Sequence, residues 1–189
     1  MKPLTIVNCL VILIFTHGCS AQFIGKGCKA YESQTLKMNE SREFYVIAIN
    51  KCNPSGVILE KDNYYKFSVG YKDLEDGRIT YDPDFPPEEK QPLTPKGFNS
   101  RNLGVFSKLI LAIGQLCRPI TTDNANWFEL IGAVGQSNKY FSIYKSSESK
   151  EPFRADDSGE LYGLVNDYPS RYGNNNGVFK VTITHVIGP

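Results

Sequence analysis

From residue 178 to 186 apolar and polar side chains alternate: after Phe179 come Lys180, Val181, Thr182, Ile183 and Thr184. A period of two belongs to an extended chain with one face buried, so Phe179, Val181 and Ile183 are expected to point into a core. Helical spacing competes only weakly, near residues 103–117. Elsewhere, short segments rich in β-branched and aromatic residues recur between turn signals, at 43–50, 64–71, 130–134, 139–143 and 160–165. The chain is therefore expected to be mainly β, and its 189 residues suit one domain.

Between the second and third of these segments, residues 81–96 hold five prolines in 16 positions. Proline removes the ladder donor, so this stretch is expected to be a long surface loop rather than a paired strand. Residues 109–115 and 130–136 nearly match each other, but a single short match does not make a repeat architecture.

The N-terminus reads as a secretory leader. Lys2 precedes an apolar run from Leu4 to Phe15, and small residues at Cys19, Ser20 and Ala21 suit cleavage after Ala21. The run is shorter than the roughly 20 residues that span a bilayer, and no second run follows, so no transmembrane segment is expected. Gly18-Cys19 also suits lipidation, although Thr16 stands where a lipoprotein box usually carries leucine. Export to a secreted, periplasmic or cell-surface location makes a disulfide accessible to Cys28, Cys52 and Cys117, and the spacing does not choose the pair. Asn39-Glu40-Ser41 is a glycosylation sequon for a eukaryotic host, whereas Asn53-Pro54-Ser55 is blocked by its proline.

Charge and histidine content narrow the function. Without Lys2 the basic and acidic residues balance, which gives no electrostatic reason to expect a nucleic acid or an anionic membrane as partner. The two histidines are His17, in the leader, and His185, so mechanisms that need a histidine pair or cluster, HExxH zinc sites included, are excluded, and a Ser-His-Asp triad could use only His185.

Residues 166–177 concentrate oxygen donors and turn formers between two expected strands. Asp167 offers a carboxylate, Asn174, Asn175 and Asn176 offer amide oxygens, and Pro169, Gly173 and Gly177 permit a tight excursion that exposes carbonyls. A hard cation such as Ca²⁺ takes about 6 to 8 such oxygens. By composition alone the same residues also suit a plain connection. Trp127, the single tryptophan, follows the turn 123–126 and is expected at the edge of the core rather than stacked on a ligand.

The run Asn166-Asp167-Tyr168-Pro169, then Tyr172-Gly173-Asn174-Asn175, Gly177, Phe179 and Val181, resembles the C-terminal calcium and sugar loop of the PA-IL-like galactophilic bacterial lectins. Asn53-Pro54-Ser55-Gly56-Val57 before residues 62–71, Leu130-Ile131-Gly132-Ala133-Val134-Gly135, and Asp157-Ser158-Gly159-Glu160-Leu161-Tyr162 are similar, in order, to upstream strands of that family. The resemblance spans roughly residues 45 to 187 and implies a single β-sandwich of galactose-binding or jelly-roll type. On that basis the chain divides into a leader at 1–21, an N-terminal extension at 22–42 and the sandwich at 43–189.

The same resemblance implies a ligand set. Asp167 is the carboxylate ligand of the ion, Asn174 and Asn175 are the amide ligands, and Arg171 and Tyr81 supply main-chain carbonyls. Sugar hydroxyls would complete the shell, contacting Asp167, Tyr168, Arg171, Asn174 and Asn175. No histidine lies between Tyr81 and Trp127 to contact the sugar as in the family, and Tyr168 and Arg171 replace smaller residues. The expected function is thus a secreted, calcium-dependent glycan-binding protein, with a hexose or galactoside as partner and a homo-oligomer as a compatible state. The alternative is an exported interaction module whose sugar site has degenerated. A hydrolase, which needs two carboxyls roughly 5 to 9.5 Å apart, ranks last, because the lectin-like domain occupies nearly all of the chain after the leader.

Overall fold

The computed structural model describes residues 28, 32–71, 94–98, 119–120, 125–135, 139–168 and 172–189. Nine strands, one short α-helix and one 3₁₀ turn are found among them. In chain order the strands are β1 (Gln34–Thr35), β2 (Ser41–Ile47), β3 (Asn53–Leu59), β4 (Tyr64–Tyr71), β5 (Leu130–Val134), β6 (Tyr140–Ser142), β7 (Phe153–Arg154), β8 (Gly159–Val165) and β9 (Val178–Val186). Helix α1 (Ile143–Glu148) lies between β6 and β7, and the 3₁₀ turn (Tyr172–Asn174) lies between β8 and β9.

The strands form two sheets, one ordered β1-β3-β8-β5-β6 and the other β2-β9-β4-β7. Only β1 on β3 is parallel; the remaining named pairs are antiparallel. The mainly β sandwich expected from the sequence is therefore the observed fold. Phe179, Val181 and Ile183 are fully buried, as the alternation in β9 requires, against Phe44, Val46, Tyr65 and Phe67 on the neighbouring strands of the same sheet.

Strands β5 and β8 differ from β9 in that every residue from Leu130 to Val134 and from Leu161 to Val165 is buried. Both of their faces are covered, which is why these segments read as continuous apolar runs without alternation. Gly132 and Gly163 pair across these two strands. A β-carbon on Gly132 would come within 2.7 Å of the Phe141 ring, and one on Gly163 would overlap Val46. The missing side chains make room for Phe141 and for close approach of the second sheet.

Helix α1 carries the chain from one sheet to the other. Its N-cap is Ser142, whose Oγ accepts the Lys145 N–H at 2.9 Å, and its buried anchor is Ile143. Phe141 and Phe153, on either side of the helix, stack at 4.2 Å, and both rings meet Phe67 at 5.8 Å. The strand expected at 139–143 is thus shorter, because Ile143 turns into the helix instead of extending.

Two boundaries move. The strand expected at 43–50 runs from Ser41 to Ile47, where Asn50 N–H bonds back to the Ile47 carbonyl at 2.9 Å. The sandwich also begins before residue 43: Gln34 and Thr35 pair with Val57 and Ile58, and Leu36 joins the core. Part of the expected N-terminal extension is therefore built into the fold. Cys28 forms a disulfide with Cys52 across 6.0 Å between Cα atoms. Cys117, the weak helical pattern at 103–117, the near-repeat at 109–115 and most of the proline-rich stretch lie outside the described residues. No helix among the described residues is long and apolar enough to cross a membrane.

Candidate functional site

The antiparallel register puts the loop between β8 and β9 at one end of the sandwich, together with the turn after β2 and the approach to β5. Asp167 follows β8 and reverses at once, its N–H bonding to the Val165 carbonyl at 2.9 Å. That reversal turns the carboxylate into the protein, where it is 3% exposed. Its Oδ1 accepts the Tyr168 N–H at 2.6 Å and its Oδ2 accepts the Asn175 side-chain amide at 2.9 Å.

Asn175 is held just as closely and is 4% exposed. Its N–H bonds to the Tyr172 carbonyl at 3.2 Å, closing the 3₁₀ turn. Its Nδ2 donates both to Asp167 and to the Ala48 carbonyl at 3.3 Å, while Ala48 N–H bonds to the Gly177 carbonyl at 2.9 Å. Two acceptors around one amide atom determine which way the group faces, since the reversed amide would set oxygen against oxygen at both contacts. The consequence is that Asn175 Oδ1 points elsewhere, buried and without a hydrogen-bond partner among the described residues. An unsatisfied buried acceptor costs about 1–3 kcal/mol, so this oxygen calls for a donor or a cation.

Tyr172 lies beneath the loop, 1% exposed, and donates its hydroxyl to the Val165 carbonyl. Burial, and after it the Asp167 charge, holds this phenol well above its ordinary ionisation range.

Of the residues expected to form the site, Asp167 and Asn175 are brought together, and Tyr168 lies beside them, half-buried and packed against the core. Asn174 contributes its main chain to the 3₁₀ turn, and its side chain is not described. Arg171 and Tyr81 lie outside the described residues. Trp127 is 5% exposed and bridges to Phe98, a core position as expected.

Three buried polar residues around the loop were not among the site residues expected from the sequence. Asn53 accepts the Ile47 N–H at 3.0 Å and donates to the carbonyls of Ile47 and Gly163, fastening the turn that carries Ala48. Asn166 and Glu129 are both fully buried at the approach to β5. Glu129 accepts the Asn126 N–H at 2.7 Å and the Ser142 hydroxyl. Asn166 opens the motif run without being assigned a role in it; nothing in the spacing of Glu129 marks it as buried.

No group of three or more His, Cys, Asp and Glu side chains suited to a metal occurs among the described residues. A cation at this loop would rest on one carboxylate with amide and carbonyl oxygens, a donor set that fits Ca²⁺ or another hard ion and not zinc. The orphaned Asn175 Oδ1 is consistent with such an ion.

No protein-family model matches the chain. No curated protein matches it either. Among solved structures it is similar to a domain described as "EclA N-terminal domain; PllA-like lectin", at 15% identity and a TM-score of 0.46, over 76% of this chain and 95% of that one.

Proposed function

We propose that this chain is a non-enzymatic, secreted carbohydrate-binding protein in which Ca²⁺, held by the loop after β8, is completed by sugar hydroxyls. The observation that carries this reading is the meeting of Asp167 and Asn175 across eight residues of loop, with a buried amide oxygen left over. Asp167 would supply the charge, Asn175 and Asn174 the amide oxygens, and Arg171 and Tyr81 the carbonyls, as the PA-IL-like motif implies. The ion would neutralise the buried carboxylate and orient two vicinal hydroxyls. The leader-like residues 1–21 and the Cys28–Cys52 bridge favour an exported protein.

Calcium added to metal-free protein should raise the melting temperature, and Asp167→Ala should abolish that rise, because neutral oxygens alone hold Ca²⁺ poorly. An equal rise in the variant would rule out the site.

One observation favours a second reading, an exported interaction module with a structural ion and no sugar. Asp167 and Asn175 are almost wholly covered, which leaves hydroxyls little access. A glycan array run in millimolar calcium separates the two: chelator-sensitive glycan signals support the first, and chelator-sensitive melting with a blank array supports the second.

A further inference from the structure

We infer that Asn166 is the positioning residue of this loop, aiming the Asp167 carboxylate at Asn175. The inference rests on the calcium reading above for its binding arm and on geometry alone for the rest. Asn166 is fully buried, and both of its amide hydrogens and its amide oxygen are engaged. Oδ1 accepts the Ile120 N–H at 3.0 Å, while Nδ2 donates to the Asn126 carbonyl at 2.8 Å and to the Ile120 carbonyl at 3.3 Å. Its main chain adds two more bonds, N–H to the Glu129 carbonyl at 2.9 Å and carbonyl from the Phe128 N–H at 3.1 Å. A donor pair and an acceptor are needed at one side chain here, a combination that aspartate and leucine of similar size lack.

These bonds matter to Asp167 because no spacer separates the two residues. With the chain turning back to Val165 immediately after Asn166, a shift of the anchor is passed directly to the carboxylate. The anchor is itself backed: Glu129, tied to the Ser142 hydroxyl at the start of α1, holds the Asn126 N–H whose carbonyl receives Asn166. A line of polar contacts thus runs from Ser142 through Glu129 and Asn126 to Asn166, passes along the peptide bond to Asp167, and continues through Asn175 to Ala48 in the turn after β2. Partners that orient a ligating group commonly change metal affinity by roughly 10- to 100-fold when removed.

Asn166→Ala is the test, with His185→Ala, at the opposite end of the sandwich, as a destabilised control. In metal-free protein, the Asn175 side-chain amide protons should give slowly exchanging NMR signals in the wild type. Asn166→Ala should lose them and His185→Ala should keep them. By calorimetric titration with Ca²⁺ alone, Asn166→Ala should bind roughly 10- to 100-fold more weakly, with the control unchanged. Preserved amide signals and affinity in Asn166→Ala, or equal losses in the control, would overturn the inference. If the wild type takes up no calcium, the calcium reading fails, and the amide signals still decide whether Asn166 aims Asp167. Should Asn166→Ala not fold, Ile120→Pro removes the N–H that Asn166 Oδ1 accepts, together with the Ile120 side chain's own packing, and the same signals should weaken; unaltered signals there count against the inference.

Discussion

The two ends of the sandwich bury polar groups in different ways. At the end where β9 finishes, His185 is 8% exposed, its Nδ1 lies 2.9 Å from the Leu36 carbonyl, and its ring stacks on Tyr65 at 5.2 Å. The Tyr65 hydroxyl accepts the Glu60 N–H at 3.0 Å, and the His185 main chain exchanges bonds with Asn39 and Glu40. At the end where β9 begins, Asn53 and Asn166 are engaged in the same manner, but Asn175 keeps one buried oxygen without a donor among the described residues. Polar burial alone therefore does not mark a binding site. An unmet acceptor is a different matter, because a buried oxygen without a donor leaves something for a ligand to satisfy.

The largest effect separating the ends should come from Asn53→Ala. It strands the Ile47 N–H and takes a donor from the Gly163 carbonyl, while the Ile47 carbonyl keeps the Asn50 N–H, and should cost about 2–3 kcal/mol in urea unfolding. A loss under about 1 kcal/mol would mean that water replaces the side chain there.

Next comes the alkaline limb of stability. Burial raises the phenols of both Tyr172 and Tyr65; Asp167 raises Tyr172 further, whereas the Glu60 main chain and Asn63 partly offset the shift of Tyr65. Tyr162 is pushed up to about 12 by burial and by Glu160. Because the unfolded phenols ionise near pH 10 and the folded ones later, the stabilisation is complete below about pH 10 and falls as pH rises, by at most about 1.4 kcal/mol per pH unit for any one tyrosine. Tyr172→Phe should flatten that fall between about pH 10 and 11 by one tyrosine's share, and Tyr65→Phe by less. Equal flattening would erase the electrostatic difference between the ends.

His185→Phe should cost about 1 kcal/mol, for the lost bond to Leu36, and leave any calcium-induced rise in melting temperature intact. A lost calcium response would couple the two ends. The smallest effects belong to the exposed ion pairs Lys139–Asp157, at 2.9 Å, and Arg154–Asp62; Lys139→Ala and Asp62→Ala should each shift stability by less than about 0.5 kcal/mol.

Legibility in the sequence followed the length of the pattern. Strand β9 shows its alternation over nine residues, and β4 and β5 have the bounds expected from their β-branched and aromatic content. Strands β1 and β7 hold two residues each, too few to display any period. At Tyr140-Phe141-Ser142-Ile143, β-type side chains masked the capping role of Ser142, which is realised only once Ile143 finds its buried place. At the candidate site, the motif identified Asp167 and Asn175. Their supports were hidden because each is a long-range contact: Asn166 reaches Ile120 across 46 residues, and Asn53 reaches Gly163 across 110. The cysteine pairing was equally closed to inspection, since three thiols at unremarkable separations allow three bridges.

The bridge between Cys28 and Cys52 makes residues 28–52 a covalent ring that contains β1, β2 and the turn carrying Ala48. Closing a loop of this size removes roughly 3 kcal/mol of freedom from the unfolded chain. A protease that nicks this ring would leave both fragments joined, so the cut would escape notice on a non-reducing gel and surface only after thiol is added.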